Sequence, residues 1–307
     1  MKLFLTVLLL ACLLCGAVPS LAESAASLPE LPERLPVEYK TYLKEGAGTV
    51  RKIEYPSKDY TGDGAEVTKS ALIYLPAGYS EEQQYDLLVL CHGIGGTEKE
   101  WGFLNLNCEG KLAVDHLIAN GEIKPLIIVM PNGRSTANFN DTSFNNMQSF
   151  YTFGQEIRND LLPWIDSHYS TYGSLTPDDL SAARDHRYMA GLSMGGMQTI
   201  NIGLCECLDL FCAFGAFSAA PTSYTSAQIA ANLEKFDAET YPVRYFYSIC
   251  GTEDGTAYAS ASAAAKNLPD YSDRFTEANW HWQECRGVHD FKIWYLGLFN
   301  FLRILGN

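Results

Sequence analysis

Basic residues are scarce in this sequence: 22 lysines and arginines stand against 36 aspartates and glutamates, for a formal net charge of −14. No basic cluster offsets that excess, and a surface of this sign repels phosphate backbones and anionic headgroups. Nucleic acid and stable membrane association are therefore excluded from the expected partners. Charged residues of both signs make up only 19% of the chain, too few for a coiled coil, while the 47% hydrophobic share is too high for a disordered one. No Gly/Ser-rich, Pro-rich or single-sign stretch divides the interior, and no internal repeat is visible, so one domain is expected. Cysteine is sparse as well. Nine are present, far below the density of a disulfide scaffold, and Cys91 and Cys250 sit in apolar runs where a buried free thiol is the ordinary state. Cys205-Glu206-Cys207 has a single intervening residue and no histidine at ligand spacing, so no metal site is expected.

One long apolar run exists, over residues 3–18, behind Met1-Lys2 and ahead of Pro19-Ser20-Leu21-Ala22. A short positive start, an apolar stretch and small residues at a cleavage site make residues 1–22 a secretory signal peptide cut after Ala22. The run falls short of the ~18–20 residues a spanning helix needs. A lipoprotein box at Leu9-Leu10-Ala11-Cys12 would leave an unusually short apolar region. The expected location is secreted or periplasmic, with lipoprotein anchoring the lesser alternative. Residues 23–36, with Pro29, Pro32 and Pro36, are expected to be a flexible Pro-rich lead-in, and residues 37–307 a single domain.

Within that domain, short apolar segments alternate with helical periodicity. Strands are expected at 70–75, 86–91, 125–130, 186–190, 213–218, 243–250 and 279–285, and helices at 111–120, 152–168, 194–204, 226–235, 258–267 and 291–305. Several strands are apolar on both faces, as in a mostly parallel central sheet with helices on both sides, so the fold class is α/β. Asp59-Tyr60-Thr61-Gly62-Asp63-Gly64 has a faint calcium-loop look, but Thr61 and Ser70 stand where carboxylates or amides are needed, and a hairpin turn is the better account.

Chemistry concentrates in Gly191-Leu192-Ser193-Met194-Gly195, a G-x-S-x-G run directly after a strand and before a helix. That context strains the central residue and exposes its hydroxyl, which makes Ser193 a candidate nucleophile. A serine needs a base, and the base needs an orienting acid. Only His281 and His289 lie downstream. His281 falls inside the Trp280-His281-Trp282 strand, whereas His289 sits in the loop Arg286-Gly287-Val288-His289-Asp290, so His289 is the expected base. The strand ending at Cys250 runs into Gly251-Thr252-Glu253-Asp254, which offers Asp254 as the acid with Glu253 as its rival; Asp270 and Asp273 look like solvated loop residues. For the oxyanion, the Met194 backbone N–H lies at the helix start, and the loop His92-Gly93-Ile94-Gly95-Gly96 offers the N–H of Ile94 or Gly93 as a second donor. His92 precedes the nucleophile and is expected to anchor this loop rather than act as a base. Trp101 follows the loop and is a candidate for the substrate-binding lining, or for packing beneath the loop.

The segments His92-Gly-Ile-Gly-Gly-Thr-Glu-Lys-Glu-Trp101, Pro125-Leu-Ile-Ile-Val-Met-Pro131, Gly191-Leu-Ser-Met-Gly-Gly196, Gly251-Thr-Glu-Asp254 and Gly287-Val-His-Asp-Phe-Lys-Ile-Trp294 together resemble the feruloyl esterase domains of carbohydrate esterase family 1, in the wider esterase D-like superfamily. The resemblance runs from about Lys69 to the C-terminus. It implies an α/β-hydrolase fold for the catalytic domain and a serine esterase that cleaves feruloyl or acetyl esters from plant cell-wall polysaccharide. Ser193, Asp254 and His289 stand at the triad positions, and no cofactor is implied. Feruloylated or acetylated xylan is the expected partner. Residues 132–155 match the family pattern poorly, which leaves acyl specificity open. Another hydrolase or acyltransferase of the same fold, and an inactive carbohydrate-binding module using Trp101, Trp280 and Trp282, are the alternatives.

Overall fold

A computed structural model of the chain describes residues 29–306; the expected signal peptide lies outside the described residues. The chain runs β1 (Thr49–Lys58), β2 (Glu66–Leu75), β3 (Asp86–Cys91), α1 (Glu109–Ala119), β4 (Leu126–Pro131), α2 (Phe153–Glu156), α3 (Leu162–His168), β5 (Arg187–Leu192), α4 (Met194–Gln198), β6 (Ala213–Phe217), α5 (Ser226–Leu233), β7 (Tyr245–Gly251), α6 (Tyr258–Ala265), β8 (Trp280–Cys285) and α7 (Phe291–Gly306). Eight strands form one sheet in the order β1-β2-β4-β3-β5-β6-β7-β8. β1 and β2 are antiparallel to their neighbours, and from β4 to β8 every pairing is parallel. This is the α/β-hydrolase sheet.

The layering follows from strand alternation. Leu87 and Val89 of β3 and Ile127 and Val129 of β4 point to one face, where they meet Phe153, Ile157, Leu161 and Ile165 from the α2–α3 segment. Leu88, Leu90, Ile128 and Met130 point to the other, against Val114 and Leu117 of α1 and Leu298, Phe301 and Leu302 of α7. Both faces are thus covered, which is why these strands read as continuous apolar runs. The helical stretches at 152–168 and 194–204 each contain a wide π-turn, at Ile157–Leu161 and Thr199–Leu204.

Two expectations need correction. β1 is missing from the expected strand ranges, although the hairpin turn expected at 59–64 implies a strand before it: of its ten residues only Ile53, Tyr55 and Ser57 are buried, because an edge strand covers one face alone, and its Arg, Lys, Glu and Pro hide the alternation. Its hairpin with β2 places the turn at residues 59–65, where the Asp59 carboxylate accepts from the Thr61 N–H and hydroxyl. The lead-in, expected to be mobile, is docked as far as it is described. The Pro32 carbonyl accepts from the side-chain amides of Gln283 and Asn300 at 3.0 and 3.1 Å, and the Glu30 carbonyl accepts from Arg303 at 2.7 Å. Leu35 is buried against the α7 face. An extended segment leaves its carbonyls free, and here Pro32 adds an acceptor to the buried network in which Gln283, Asn300 and Tyr247 already hydrogen-bond one another. The seven described cysteines are all buried free thiols.

Candidate active site

The loops that follow β3, β4, β5, β6, β7 and β8 open along the same edge of the sheet, the edge where doubly wound folds place their sites. Ser193 lies between β5 and α4 with φ 53° and ψ −117°, a strained conformation for a non-glycine residue. Its neighbours must be glycine for steric reasons. A Cβ on Gly191 would approach the Gly195 carbonyl carbon to 2.5 Å, and one on Gly195 would approach the Cys91 carbonyl carbon to 2.6 Å. Gly195→Ala is therefore expected to destabilise the fold by roughly 1–3 kcal/mol through backbone displacement. An unchanged urea midpoint in that variant would contradict the tight elbow.

His289 reaches Ser193 from the loop between β8 and α7. Its Nε2 is 3.0 Å from Ser193 Oγ, and its Nδ1 is 2.8 Å from Asp254 Oδ2. The Trp294 ring stands edge-on to the imidazole at 5.0 Å and 87° and limits its tilt. The acid and base loops are pressed together: a Cβ on Gly251 would fall 2.4 Å from the Gly287 carbonyl oxygen, and the Glu253 N–H donates to that oxygen at 2.9 Å. Asp254 is buried, and its Oδ1 accepts from the backbone N–H groups of Thr256 and Ala257 at 3.0 and 2.8 Å. Burial alone would raise its pKa, but the hydrogen bonds from His289 and Ala257, together with the imidazole's charge when protonated, hold it below the usual carboxylate range. Glu253 turns outward to Arg286 in an exposed pair, so the structure places Asp254, and not its rival, against the histidine. His281 stacks on Tyr247 far along β8 and touches neither Ser193 nor Asp254.

The loop after β3 abuts the nucleophile, since a Cβ on Gly93 would lie 3.3 Å from Ser193 Cβ. Gly93 donates its N–H to Glu100 Oε2 at 2.6 Å and is thereby occupied. The N–H groups of Ile94 and Met194 have no protein acceptor among the described residues, which leaves them free to donate to a substrate oxygen. His92 is fully buried. Its Nε2 accepts from the Gly133 N–H, its Nδ1 meets the Gly93 carbonyl at 2.6 Å, and burial pushes its pKa down to about 3. It is a neutral anchor of the loop and does not reach Ser193.

Trp101 does not line the cleft. Its side chain is fully buried, its Nε1–H donates to the Cys91 carbonyl at 3.0 Å, and it packs edge-on against Phe217 and Phe291. The candidate substrate contact is corrected to a support beneath the loop: the indole N–H satisfies the last carbonyl of β3, which draws the ring inward. Trp101→Ala is expected to cost about 3–5 kcal/mol of stability. A variant as stable as the wild type would contradict that role.

Residues 132–155, which carried no clear motif, border the nucleophile. Phe150, Met194 and Met197 form a small apolar cluster against which Ile94, Met147 and Tyr151 pack half-buried. Nothing in local periodicity marks Met147 or Tyr151, because the loop's contacts are all tertiary. A hydroxyl within hydrogen-bond distance of an imidazole, which a buried carboxylate holds in turn, with unoccupied backbone N–H groups nearby, is the arrangement that acyl transfer needs.

Residues 68–303 match a family described as "Putative esterase". Among curated proteins the chain is 34% identical over 240 residues to endo-1,4-beta-xylanase Y of Acetivibrio thermocellus, covering 74% of this chain and 21% of that protein. It is 32% identical over 187 residues to an endo-1,4-beta-xylanase/feruloyl esterase of Xylanibacter ruminicola, covering 58% and 22%. The chain thus spans about a fifth of the length of these relatives, at 21% and 22%. Among solved structures, a mutant of the feruloyl esterase module of Clostridium thermocellum complexed with sinapinate superposes with a TM-score of 0.69 at 26% identity, over 91% of this chain and 94% of that one. A ferulic acid esterase of Anaeromyces mucronatus, at 23% identity and TM-score 0.68 over 90% and 98%, shares the fold.

Proposed function

The chain belongs to the esterase family that its residues 68–303 match and is a carboxylic ester hydrolase; from that premise we propose that it hydrolyses feruloyl and related hydroxycinnamoyl esters on xylan, through an acyl-enzyme at Ser193. The observation that carries the chemistry is the relay from Ser193 Oγ to His289 Nε2 at 3.0 Å and from His289 Nδ1 to Asp254 Oδ2 at 2.8 Å. His289 Nε2 takes the hydroxyl proton as Oγ attacks the ester carbonyl. Asp254 fixes the imidazole tautomer and offsets the imidazolium charge. The negative charge that develops on the carbonyl oxygen meets the N–H groups of Ile94 and Met194. Collapse breaks the ester C–O bond, and the sugar hydroxyl leaves with the proton from His289. Water then attacks the acyl-enzyme by the same route and releases the carboxylic acid.

The acyl preference is supported by the surface beside the nucleophile, where Ile94, Met147 and Tyr151 present a half-buried apolar patch. A planar hydroxycinnamoyl group would cover it at little entropic cost. The names of the relatives and of the solved structures agree with that substrate class. The apolar run at residues 3–18 supports action outside the cytoplasm, where such polymers are met. Competition between methyl ferulate and an aliphatic ester of similar size tests the acyl group. A preference well above about threefold in kcat/KM, with ferulate released from arabinoxylan, is expected. A smaller preference would mean that no aromatic-selective surface operates, and acetyl release from acetylated xylan would then be the activity to measure.

A further inference from the structure

Several side chains that the proton relay does not use converge on the loop at residues 93–96. The peptide unit is planar and trans, so its C=O and N–H point opposite ways, and anchoring one fixes the direction of the other. The peptide that carries the Ile94 N–H has the Gly93 carbonyl at its other end, held by His92 Nδ1 at 2.6 Å. In the peptide before it, the Gly93 N–H is held by Glu100 Oε2 at 2.6 Å. In the peptide after it, the Ile94 carbonyl accepts from the Arg134 guanidinium, which also donates to the Gly96 carbonyl at 2.8 Å.

Neither charged group is explained by stability. Arg134 comes from the loop after β4, is completely buried, and lies over the Phe150 ring at 4.8 Å. Its hydrogen bonds go to loop carbonyls, and no carboxylate lies within ion-pair distance of it among the described residues. A buried cation whose side-chain hydrogen bonds all go to neutral carbonyls, with the charges of Glu100, Asp141 and Glu98 acting on it only from beyond ion-pair distance, is an expensive way to close a loop. The Glu100 carboxylate occupies the space that Gly96 leaves open: a Cβ there would fall 2.1 Å from its Oε2. Burial raises its pKa, and the Gly93 N–H and the Arg134 charge offset that rise only in part.

We propose that Arg134 and Glu100 are positioning residues of the oxyanion hole, which clamp the peptides on either side of the Ile94 N–H so that this donor faces the ester oxygen before substrate arrives. The proposal rests on the assignment of the Ile94 N–H as an oxyanion donor. Loss of either clamp lets that peptide rotate. Transition-state stabilisation falls as a result, while the surfaces that bind the ground-state ester keep their shape.

The test uses steady-state hydrolysis of 4-nitrophenyl acetate, and inhibition by phenylboronic acid, which forms a tetrahedral adduct on a nucleophilic serine. Arg134→Met is expected to lower kcat by about 10²-fold with KM changed less than about threefold, the split expected when an oxyanion donor is misplaced. The boronate Ki should rise in parallel. Arg134→Lys keeps one donor and should recover part of the loss. Glu100→Ala, at a partly exposed position, should lower kcat by about tenfold or more, and Glu100→Gln, which keeps an acceptor for the Gly93 N–H, should recover most of it. If Arg134→Met does not fold, Glu100→Ala and Arg134→Lys decide. Folded variants with kcat within about threefold of the wild type, or with kcat lowered and boronate inhibition unchanged, would overturn the proposal. Wild-type turnover that Ser193→Ala abolishes shows that the assay reports the serine esterase. A wild type without turnover, or a Ser193→Ala variant that retains it, would instead overturn the assignment beneath the proposal.

Discussion

Ser193→Ala is expected to lower kcat on any ester by on the order of 10⁴-fold or more while the unfolding midpoint stays close to that of the wild type. Among the described residues, the Ser193 Oγ hydrogen-bonds to His289 alone. In the proposed mechanism that contact belongs to the reaction path and not to the core. The backbone around it is fixed independently, by the Ser193 N–H on the Phe217 carbonyl at 2.9 Å and by the close approach of Gly191 and Gly195. Alanine therefore removes the nucleophile without a cavity of consequence. What survives is the contribution of the oxyanion donors and of substrate binding, since the rate lost with a nucleophile is not shared out among the other groups. A folded variant that keeps more than about a tenth of the activity would assign the attack to another group.

The second large effect separates two adjacent carboxylates. Asp254→Asn is expected to lower kcat by about 10³–10⁴-fold, whereas Glu253→Gln should leave it within about threefold. Asparagine can turn an NH₂ toward the imidazole Nδ1, which makes Nδ1 the acceptor and favours the tautomer whose single N–H proton sits on Nε2, where a base must have none. The charge that steadies the imidazolium is lost as well. Among the described residues the Glu253 carboxylate meets only Arg286, in an exposed pair. The same carboxylate carries a stability effect with a definite sign. The folded-state pKa of Asp254 is held below its ordinary value, so its contribution is complete at neutral pH and is lost as pH falls through the folded value. Asp254→Asn should accordingly flatten the acid side of the stability curve. The opposite ranking of the two variants, or an unchanged acid limb, would place the acid elsewhere.

The strands that carry the site were legible because they are buried on both faces: Leu87 to Leu90 and Ile127 to Met130 have no polar interruption, and each ends in a glycine-bearing loop. β1 escaped because its Ile53–Tyr55–Ser57 alternation is short and the opposite face is charged. The docking of residues 29–36 escaped because it depends on carbonyls meeting Gln283 and Asn300, partners about 250 residues away. Ser193 and His289 stand out locally, one by its glycines and the other by a loop placed between a strand and the last helix. The sequence favours Asp254 over Glu253 through the family resemblance, but nothing local separates the two, since their difference is one of direction: one points into the site and the other to Arg286. Arg134 and Glu100 carry no local signal, because what matters is that a charge from one loop is buried against the carbonyls and N–H groups of another. Trp101 shows the limit in the other direction, for an aromatic beside a catalytic loop has the same sequence signature whether it faces substrate or supports the loop from beneath.

The central claim is that Ser193 carries the acyl group between the two half-reactions, and acid-quenched mass spectrometry tests it most directly. The wild type is mixed with excess methyl ferulate, quenched within the first turnovers and digested. The account predicts a feruloyl adduct on the peptide that contains Ser193, absent from Ser193→Ala, with methanol released in a burst that matches the acylated fraction. Ferulate formed at the steady rate with no adduct at any time, or an adduct on a peptide that lacks Ser193, would contradict it.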